Sequence, residues 1–184
     1  RGYEVTEKVG GAGLVGVLRN GDGPVVMLRT DLDALPVEEK TGVPWASRAT
    51  GKDDEGRPIP AMHACGHDLH MTAWAGAAKL LAKAKESWRG TLVRVGQPAE
   101  ERGAGAERML KDGLFTRFPR PAFAGALHVT PELPAGQVGV TPGPAFASVD
   151  SVDVTIHGKG GHGAMPHRTI DPILIGARVV VGLQ

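Results

Sequence analysis

The chain is 184 residues long, and Gly (27 residues) and Pro (14 residues) together make up more than a fifth of it, roughly twice their average share. Hydrophobic residues account for 41% and charged residues for 22%, which excludes a disordered or collagen-like chain. Because 21 basic residues balance 20 acidic ones, the formal net charge is +1, and no charge excess is available to attract nucleic acid or an anionic membrane. Function must therefore come from a local site.

The predicted elements alternate between strands and helices along most of the chain. Strands are predicted at 3–9, 14–19, 25–30, 91–95 and 122–129, and helices at 68–88, at 105–112 and from 171 onwards. Residues 41–61 are polar and rich in Gly and Pro, which predicts a long loop. The alternation predicts an α/β fold with a mainly parallel sheet. Alternating polarity further predicts a half-exposed strand at 148–157, after a domain boundary near residue 145.

Acidic residues and a histidine follow three of the predicted strands at the points where those strands end. They are Asp31 and Asp33 after the third strand, Glu100 and Glu101 after the fourth, and His128 at the end of the fifth. Because sites in parallel sheets form at the carboxyl ends of the strands, this placement indicates a site at that edge. A lone histidine such as His128 can also be an ordinary core or rim residue. The two aspartates suit either ligands or carboxylates that orient an imidazole.

The densest group of chemically active side chains lies at 62–70 (MHACGHDLH), which holds three of the seven histidines and the only cysteine. A single cysteine excludes an intrachain disulfide. Residues two apart cannot share a helix face, so Cys65 and His67 are predicted to lie on a loop. Gly66 allows that loop to turn tightly, and Asp68 is placed to cap the next helix. Sulfur with imidazole nitrogen suits zinc or a neighbouring first-row metal; the alternative is a buried cysteine beside solvated histidines.

The adjacent Glu100 and Glu101 suit a hydrolytic metal site, in which one carboxylate binds metal and its neighbour takes a proton from a metal-activated water. The alternative is a surface glutamate pair at the start of a loop. A nucleophilic pair of Cys65 and His128 would leave both glutamates unexplained. A serine hydrolase is a weak alternative, because the sequence has no Gly-x-Ser-x-Gly motif.

A second histidine-bearing segment, 160–167 (GGHGAMPH), places His162 and His167 on a Gly-rich loop. It lacks the Gly-Lys-Ser/Thr ending of a phosphate-binding loop. A mobile loop that presents an imidazole to an oxyanion and an ordinary exposed loop both fit this segment.

Five ordered blocks over essentially the whole chain resemble the amidohydrolase branch of the M20 metallopeptidase family, which includes hippurate hydrolases, auxin-conjugate hydrolases and N-acyl-amino-acid amidohydrolases. The blocks are 29–36 (RTDLDALP), 62–68 (MHACGHD), 97–101 (QPAEE), 126–129 (ALHV) and 161–167 (GHGAMPH). The resemblance implies a catalytic α/β domain with a mainly parallel sheet, expected at 1–145. It also implies the start of an inserted α+β lid domain that commonly dimerises, expected at 146–184.

The same resemblance implies a role for each site residue. Two divalent ions, with Zn, Mn, Co or Ni as candidates, would be held by Cys65, His67, Glu101 and His128. Glu100 would be the general base, Asp33 would lie behind the ligands, and His162 would stabilise the tetrahedral oxyanion. The implied reaction is hydrolysis of the amide bond of an N-acyl amino acid or a related small amide by a metal-activated water. The implied partners are this small amide and a second copy of the chain, with neither nucleic acid nor membrane.

The family's last metal-ligating histidine lies beyond the lid, whereas this chain ends inside the lid's first helix. We therefore expect the 184 residues alone to be an incomplete, inactive and unstable part of the enzyme. The alternative function is a non-catalytic metal-binding or assembly protein, or an inactive truncated gene product. A sole thiol, Cys65, fits a reducing cytoplasm, which is the expected location.

Overall fold

A computed structural model describes residues 2–184, and the chain divides into two compact units, one that ends at Ala135 and one that spans Gly136–Gln184. In chain order, the elements of the first unit are β1 (Glu4–Val9), β2 (Gly13–Asn20), β3 (Val25–Asp31), β4 (Thr50–Lys52), β5 (Pro58–Pro60), α1 (His67–Lys83), β6 (Gly90–Gln97), α2 (Gly105–Lys111), α3 (Leu114–Arg117) and β7 (Phe123–Ala126). The catalytic and lid domains expected at 1–145 and 146–184 stay predictions.

Five strands form one twisted sheet in the order β1-β2-β6-β3-β7. Strand β3 is parallel to both of its neighbours, β6 and β7. Strand β2 is antiparallel to β1 and to β6, so four of the five strands run in the same direction. The predicted α/β class with a mainly parallel sheet is therefore confirmed. The five strands and two helices predicted in this unit are present, with ends that differ by up to five residues, whereas α3 was not predicted.

The buried core of this unit lies between the sheet and helices α2 and α3. Across β2 and β6, Val15 pairs with Val95 and Val17 pairs with Val93, and all four side chains are buried. Because side chains alternate between the two faces of a strand, these valines share one face, where they pack with Met109 of α2. Burial of this apolar face attaches the helices that follow β6 to the sheet.

Helix α1 covers the opposite face of the sheet. Trp74 of this helix donates its Nε1–H to the Leu28 carbonyl of β3 at 2.9 Å. The guanidinium of Arg94, which alternates with the core valines on β6, lies 4.6 Å from the centre of the Trp74 ring and donates to the Trp74 carbonyl. These contacts set the position of α1, whose first residue is His67.

The predicted long loop at 41–61 contains the short hairpin of β4 and β5. Its turn is organised by Asp53, whose carboxylate accepts hydrogen bonds from the backbone N–H groups of Glu55 and Arg57. The sequence pattern did not indicate these strands, because each has three residues and β5 begins and ends with proline, which does not donate to a ladder.

The second unit contains a 3-10 turn (Pro166–Arg168) and helix α4 (Pro172–Leu183). The helix begins as predicted, and the Asp171 carboxylate caps it by accepting from the N–H groups of Ile173 and Leu174. The strand predicted at 148–157 is wrong: these residues are irregular and mostly exposed. Alternating polarity makes a strand only where a neighbouring strand pairs with its backbone, and the described residues of this unit supply one isolated bridge, between Lys159 and Ile170.

Among residues 2–184, no helix combines the length and the apolar character needed to cross a bilayer.

Gly105, the first residue of α2, allows the turn after β6 to pass close to the helix. A Cβ at this position would lie 1.5 Å from the Pro98 carbonyl oxygen, so Gly105→Ala forces the backbone to move. We expect it to lower the free energy of unfolding of the full-length gene product by at least about 2 kcal/mol, measured by denaturant titration. Gly76→Ala in α1 is the matched control, since nothing lies within 4 Å of its Cβ position. Equal losses for both variants would contradict the prediction.

Candidate metal centre

The polar residues that follow the strands meet at one edge of the sheet. In the parallel register, Asp31 at the end of β3 lies opposite Gln97 at the end of β6. Strand β7 pairs with the other side of β3 and leads directly to His128. The chain after β5 brings Cys65 and His67 to the same edge. Cys65 contacts His128, which follows β7, and His67 contacts Asp33, which follows β3.

The loop before α1 turns tightly at Gly66, which has a φ of 78° and is the N-cap of the helix. A Cβ at Gly66 would lie 2.4 Å from Val129 Cγ2, so the turn also needs the absence of a side chain. The prediction that Asp68 caps α1 is wrong, because the helix begins at His67 and no side chain caps it. Asp68 instead lies in the first turn, where a carboxylate is favoured by the exposed N–H groups.

His67 lies at the centre of the cluster, and its side chain is 1% exposed. Its Nδ1 is 2.9 Å from the Asp33 carbonyl oxygen; since a carbonyl only accepts, Nδ1 carries the proton and Nε2 has the lone pair. That Nε2 is 3.7 Å from a carboxylate oxygen of each of three residues, Asp31, Glu100 and Glu101. It has no hydrogen-bond partner among residues 2–184.

This arrangement requires a positive charge. A buried lone pair that faces carboxylate oxygens is repelled by them unless a proton or a metal cation lies between. Distances of 3.7 Å are too long for hydrogen bonds from a protonated Nε2. A metal ion forms bonds of about 2 Å to nitrogen and to oxygen, which suits a space of this width. The His67 environment therefore suits a metal ion, as predicted from the sequence, and its role as a ligand stays a prediction.

Cys65 and His128 form a second group of possible ligands with His67. The Cys65 Sγ is 3.5 Å from His128 Nε2. His128 Nδ1 donates to the Val129 carbonyl at 2.7 Å, which leaves the Nε2 lone pair directed towards the sulfur. The ligand atoms of Cys65, His67 and His128 all lie within 4.8 Å of one another. One sulfur and two imidazole nitrogens are a donor set that zinc and its neighbours accept.

The charge around Cys65 disfavours its use as a free nucleophile. Burial and the nearby carboxylates of Glu101 and Glu100 raise the pKa of the Cys65 thiol above its ordinary value. A catalytic cysteine needs the opposite, a pKa lowered by neighbouring positive charge. The alternative in which Cys65 and His128 act as a nucleophilic pair is therefore weakened, whereas a metal ion would supply the charge that a thiolate needs.

Asp31 and His70 form a buried pair behind the cluster. His70 Nδ1 donates to Asp31 Oδ1 at 2.7 Å, and Arg29 contacts the other carboxylate oxygen at 3.0 Å. Burial raises the pKa of the Asp31 carboxyl, but the hydrogen bond from His70, a backbone hydrogen bond and the charges of Arg29 and His67 together lower it by more, so the pKa lies below its ordinary value. His70 Nε2 accepts from the Val129 N–H at 3.0 Å. Both nitrogens of His70 are thus occupied, which excludes it as a ligand in this arrangement.

His70 is not among the site residues predicted from the sequence, although one signal for it exists. His67 and His70 are three residues apart, so they lie on the same side of α1, and their ring centres are 5.4 Å apart. A buried histidine one turn after a candidate ligand therefore points to a residue that supports the site. Its function is to join Asp31 of β3 to the segment that carries His128.

Asp33 organises the cluster through both its backbone and its side chain. Its carbonyl oxygen accepts from His63 at 3.1 Å and from His67 at 2.9 Å. Its Oδ2 accepts from the Glu101 N–H at 3.0 Å. These contacts agree with a residue that positions ligands. The structure brings Glu100 and Glu101 equally close to His67, but it exposes them differently, with 39% of the Glu100 side chain and 24% of the Glu101 side chain accessible.

His162 belongs to the second unit. Its Nδ1 accepts from the Ala164 N–H at 3.1 Å, so in the neutral ring Nε2 carries the proton and is a donor. The roles of all seven predicted site residues stay predictions: Glu100, His162, Asp33, Cys65, His67, Glu101 and His128.

A parallel-sheet edge with a Cys, His and carboxylate cluster defines a candidate metal centre of an α/β protein, and comparison with known proteins places it in a family. The model of Peptidase family M20/M25/M40 matches residues 27–179, and the chain belongs to this family. It is 45% identical over 163 residues to the N-acetyl-L-cysteine deacetylase of Bacillus subtilis, covering 89% of this chain and 36% of that protein.

Two further relatives agree with this assignment. The chain is 44% identical to the IAA-amino acid hydrolase ILR1-like 4 of Arabidopsis thaliana, over 94% of this chain and 36% of that protein. A crystal structure of a dinuclear metal-binding M20 peptidase from Bacillus subtilis matches with a TM-score of 0.66 and 35% identity, over 77% of this chain and 37% of that one. The chain therefore spans well under half of the length of these relatives.

The residues present fit divalent metal ions. His67 belongs to all three ligand groups that the structure brings together. In two of them every member can offer a lone pair: Cys65, His67 and His128 in one, and His67, Glu100 and Glu101 in the other. The third combines Asp31, His67 and His70, and it is weakened because His70 has no free nitrogen. A thiol, a second imidazole and two carboxylates around the unpartnered Nε2 of His67 support divalent metals, without selecting one of them.

Replacing His67 removes the nitrogen that both groups share. We expect His67→Ala to lower the metal content of the purified full-length gene product to less than a tenth of the wild-type value, measured by plasma mass spectrometry after dialysis. His157→Ala, a histidine outside the cluster, should keep the wild-type content. Equal metal in both variants would show that the ions bind elsewhere.

Proposed function

We propose that this chain forms the metal-binding part of an amidohydrolase that hydrolyses the amide bond of N-acyl amino acids or related small amides. The observation that carries the proposal is the buried lone pair of His67 Nε2, which lies 3.7 Å from the Glu100 and Glu101 carboxylates. The names of the relatives, an N-acetyl-L-cysteine deacetylase and an IAA-amino acid hydrolase, support a small amide as the substrate.

Two divalent ions would be held by Cys65, His67, Glu101 and His128, with Zn, Mn, Co and Ni all compatible with these donors. When bound, such ions polarise an amide carbonyl and make water more acidic. The crystal structure of a dinuclear metal-binding relative supports the number of ions. The less exposed of the two glutamates, Glu101, suits the ligand role, because its backbone is fixed by Asp33.

Glu100 would be the general base. Its carboxylate lies beside the ligands and is the more accessible of the pair, so it can contact both a water molecule and the substrate. It would take a proton from the attacking water and then deliver that proton to the leaving amine nitrogen as the C–N bond breaks. Asp33 would act indirectly, because its carbonyl keeps the His67 proton on Nδ1.

His162 would donate a hydrogen bond to the oxyanion of the tetrahedral intermediate. The hydrogen bond from the Ala164 N–H to Nδ1 supports this role, because it leaves the proton on Nε2. We further propose that residues 146–184 begin a lid domain and that two copies of the chain associate through it. The exposed apolar side chains of α4, including Ile173, Val181 and Leu183, support such an association. The cytoplasmic location stays a proposal.

Glu100→Ala separates proton transfer from metal binding. We expect kcat towards an N-acetyl amino acid to fall at least about 1,000-fold, with an unchanged metal content. Glu107→Ala is the matched control, since Glu107 is an exposed glutamate on α2 that pairs with Lys111, and it should retain full activity. Unchanged kcat in Glu100→Ala would overturn the assignment. Metal binding without turnover in the wild-type protein would favour the non-catalytic alternative.

His162→Ala removes the proposed oxyanion donor. We expect kcat to fall about 100-fold, with the metal content unchanged and partial recovery in His162→Gln, which also carries a donor. His167→Ala, on the same loop, should have little effect. If both histidine variants lose activity to the same extent, the loop as a whole matters and the assignment to His162 is wrong.

A further inference from the structure

An open cleft of about 700 Å³ borders the metal cluster within the first unit, and its volume lies in the range of small-ligand sites. Cys65 and His128 form part of its wall, and these two side chains also contact each other in the cluster. A molecule in the cleft therefore touches the proposed metal ligands. None of the roles proposed above uses the remaining wall of the cleft.

Part of this wall is apolar and accessible. Trp45, Met62 and Leu69 line the cleft, and the exposed fractions of Trp45 and Leu69 are 81% and 57%. Exposed apolar side chains that line the same cleft form a patch that can bind an apolar group. An indole ring in this position offers a flat face on which a second ring can stack.

The Asp, Glu, Lys and Arg residues in the wall of the cleft are all acidic. Glu39 and Asp68 line the cleft, and the described residues around it include no Lys or Arg. The Glu39 carboxylate is held in place by hydrogen bonds from the Ser47 N–H at 2.6 Å and from the Thr41 hydroxyl at 2.7 Å. Fixed negative charge on this part of the wall repels an anionic group that lies against it.

An N-acyl amino acid has two chemically different ends. The amino-acid end carries a free carboxylate, which the acidic wall disfavours, whereas the acyl end is uncharged. Building on the function proposed above, we propose that this cleft binds the acyl group of the substrate and that Trp45 is a specificity residue which favours aromatic acyl groups. The amide bond then lies at the Cys65 and His128 side of the cleft, next to the metal cluster.

The test varies the acyl group while the amino acid stays the same. With N-acetylglycine and N-benzoylglycine as substrates of the full-length gene product, we expect Trp45→Ala to raise KM for the benzoyl substrate about tenfold. KM for the acetyl substrate should change less than twofold, and kcat should be kept for both, because a stacking contact is equally strong in the ground state and the transition state. Trp45→Phe should restore most of the benzoyl preference.

Leu80→Ala is the control for the loss of an exposed apolar side chain, since Leu80 lies on α1 with 67% exposure and does not line the cleft. The proposal is overturned if Trp45→Ala affects both substrates equally. It is also overturned if the Trp45 variant discriminates between N-acetylglycine and N-acetylphenylalanine instead, because the amino-acid side chain would then occupy the cleft.

The effect of the acidic wall can be measured separately with a matched pair of substrates. N-succinylglycine and N-butanoylglycine have four-carbon acyl groups that differ in a terminal carboxylate. We expect the wild-type protein to prefer the butanoyl substrate and Asp68→Asn to reduce that preference at least threefold in kcat/KM. An unchanged preference in Asp68→Asn would contradict the role of the acidic wall.

Binding of a neutral probe keeps this inference separate from the proposed function. N-methylbenzamide carries the aromatic acyl group but no carboxylate, and its affinity can be measured by calorimetry whether or not the protein hydrolyses amides. Weaker binding to Trp45→Ala than to the wild-type protein would support the cleft assignment even if no turnover is found. Equal binding would overturn it even if the amidohydrolase activity is established.

Discussion

The hydrogen bond from His67 Nδ1 to the Asp33 carbonyl determines the chemistry of the cluster. It places the only lone pair of a buried imidazole at 3.7 Å from three carboxylate oxygens, an arrangement that is stable only with a positive charge between them. The same peptide carbonyl also accepts from His63, so the tautomer is held by the backbone after β3. The need for a cation next to His67 therefore follows from the position of the Asp33 carbonyl after β3.

A second buried contact keeps this geometry together. The carboxylate of Asp31 pairs with His70 and Arg29, and His70 in turn accepts from the backbone of Val129. One imidazole therefore joins the end of β3, the start of α1 and the segment after β7. Loss of one member would leave a buried charge without a partner, which is among the costliest changes in a protein interior. The pair therefore supports the position of His128.

The cluster and the cleft beside it suit different ligands, because their side chains differ. The cluster offers sulfur, nitrogen and carboxylate donors around a small space, which suits cations. The cleft offers an indole ring and two carboxylates, with no Lys or Arg among the residues around it, which suits an uncharged group with a flat face. If a substrate contacts both, its orientation is set by charge: the neutral part enters the cleft and the carboxylate points away from it.

Much of this fold and site could be predicted from the sequence, because the relevant signals are local. The apolar strand at 25–30, the helix after 62–68 and the polar residues at the strand ends all follow from patterns of a few residues.

The tertiary structure alone showed that Asp68 does not cap α1, that β4 and β5 pair, that 148–157 lacks a partner strand, and that His70 supports Asp31. It also located the proton of His67. Strand pairing, burial and proton position depend on residues distant in the chain, so periodicity and spacing cannot determine them. The sequence by itself thus determined which donors are available, and only the tertiary structure decided which of them have a free lone pair.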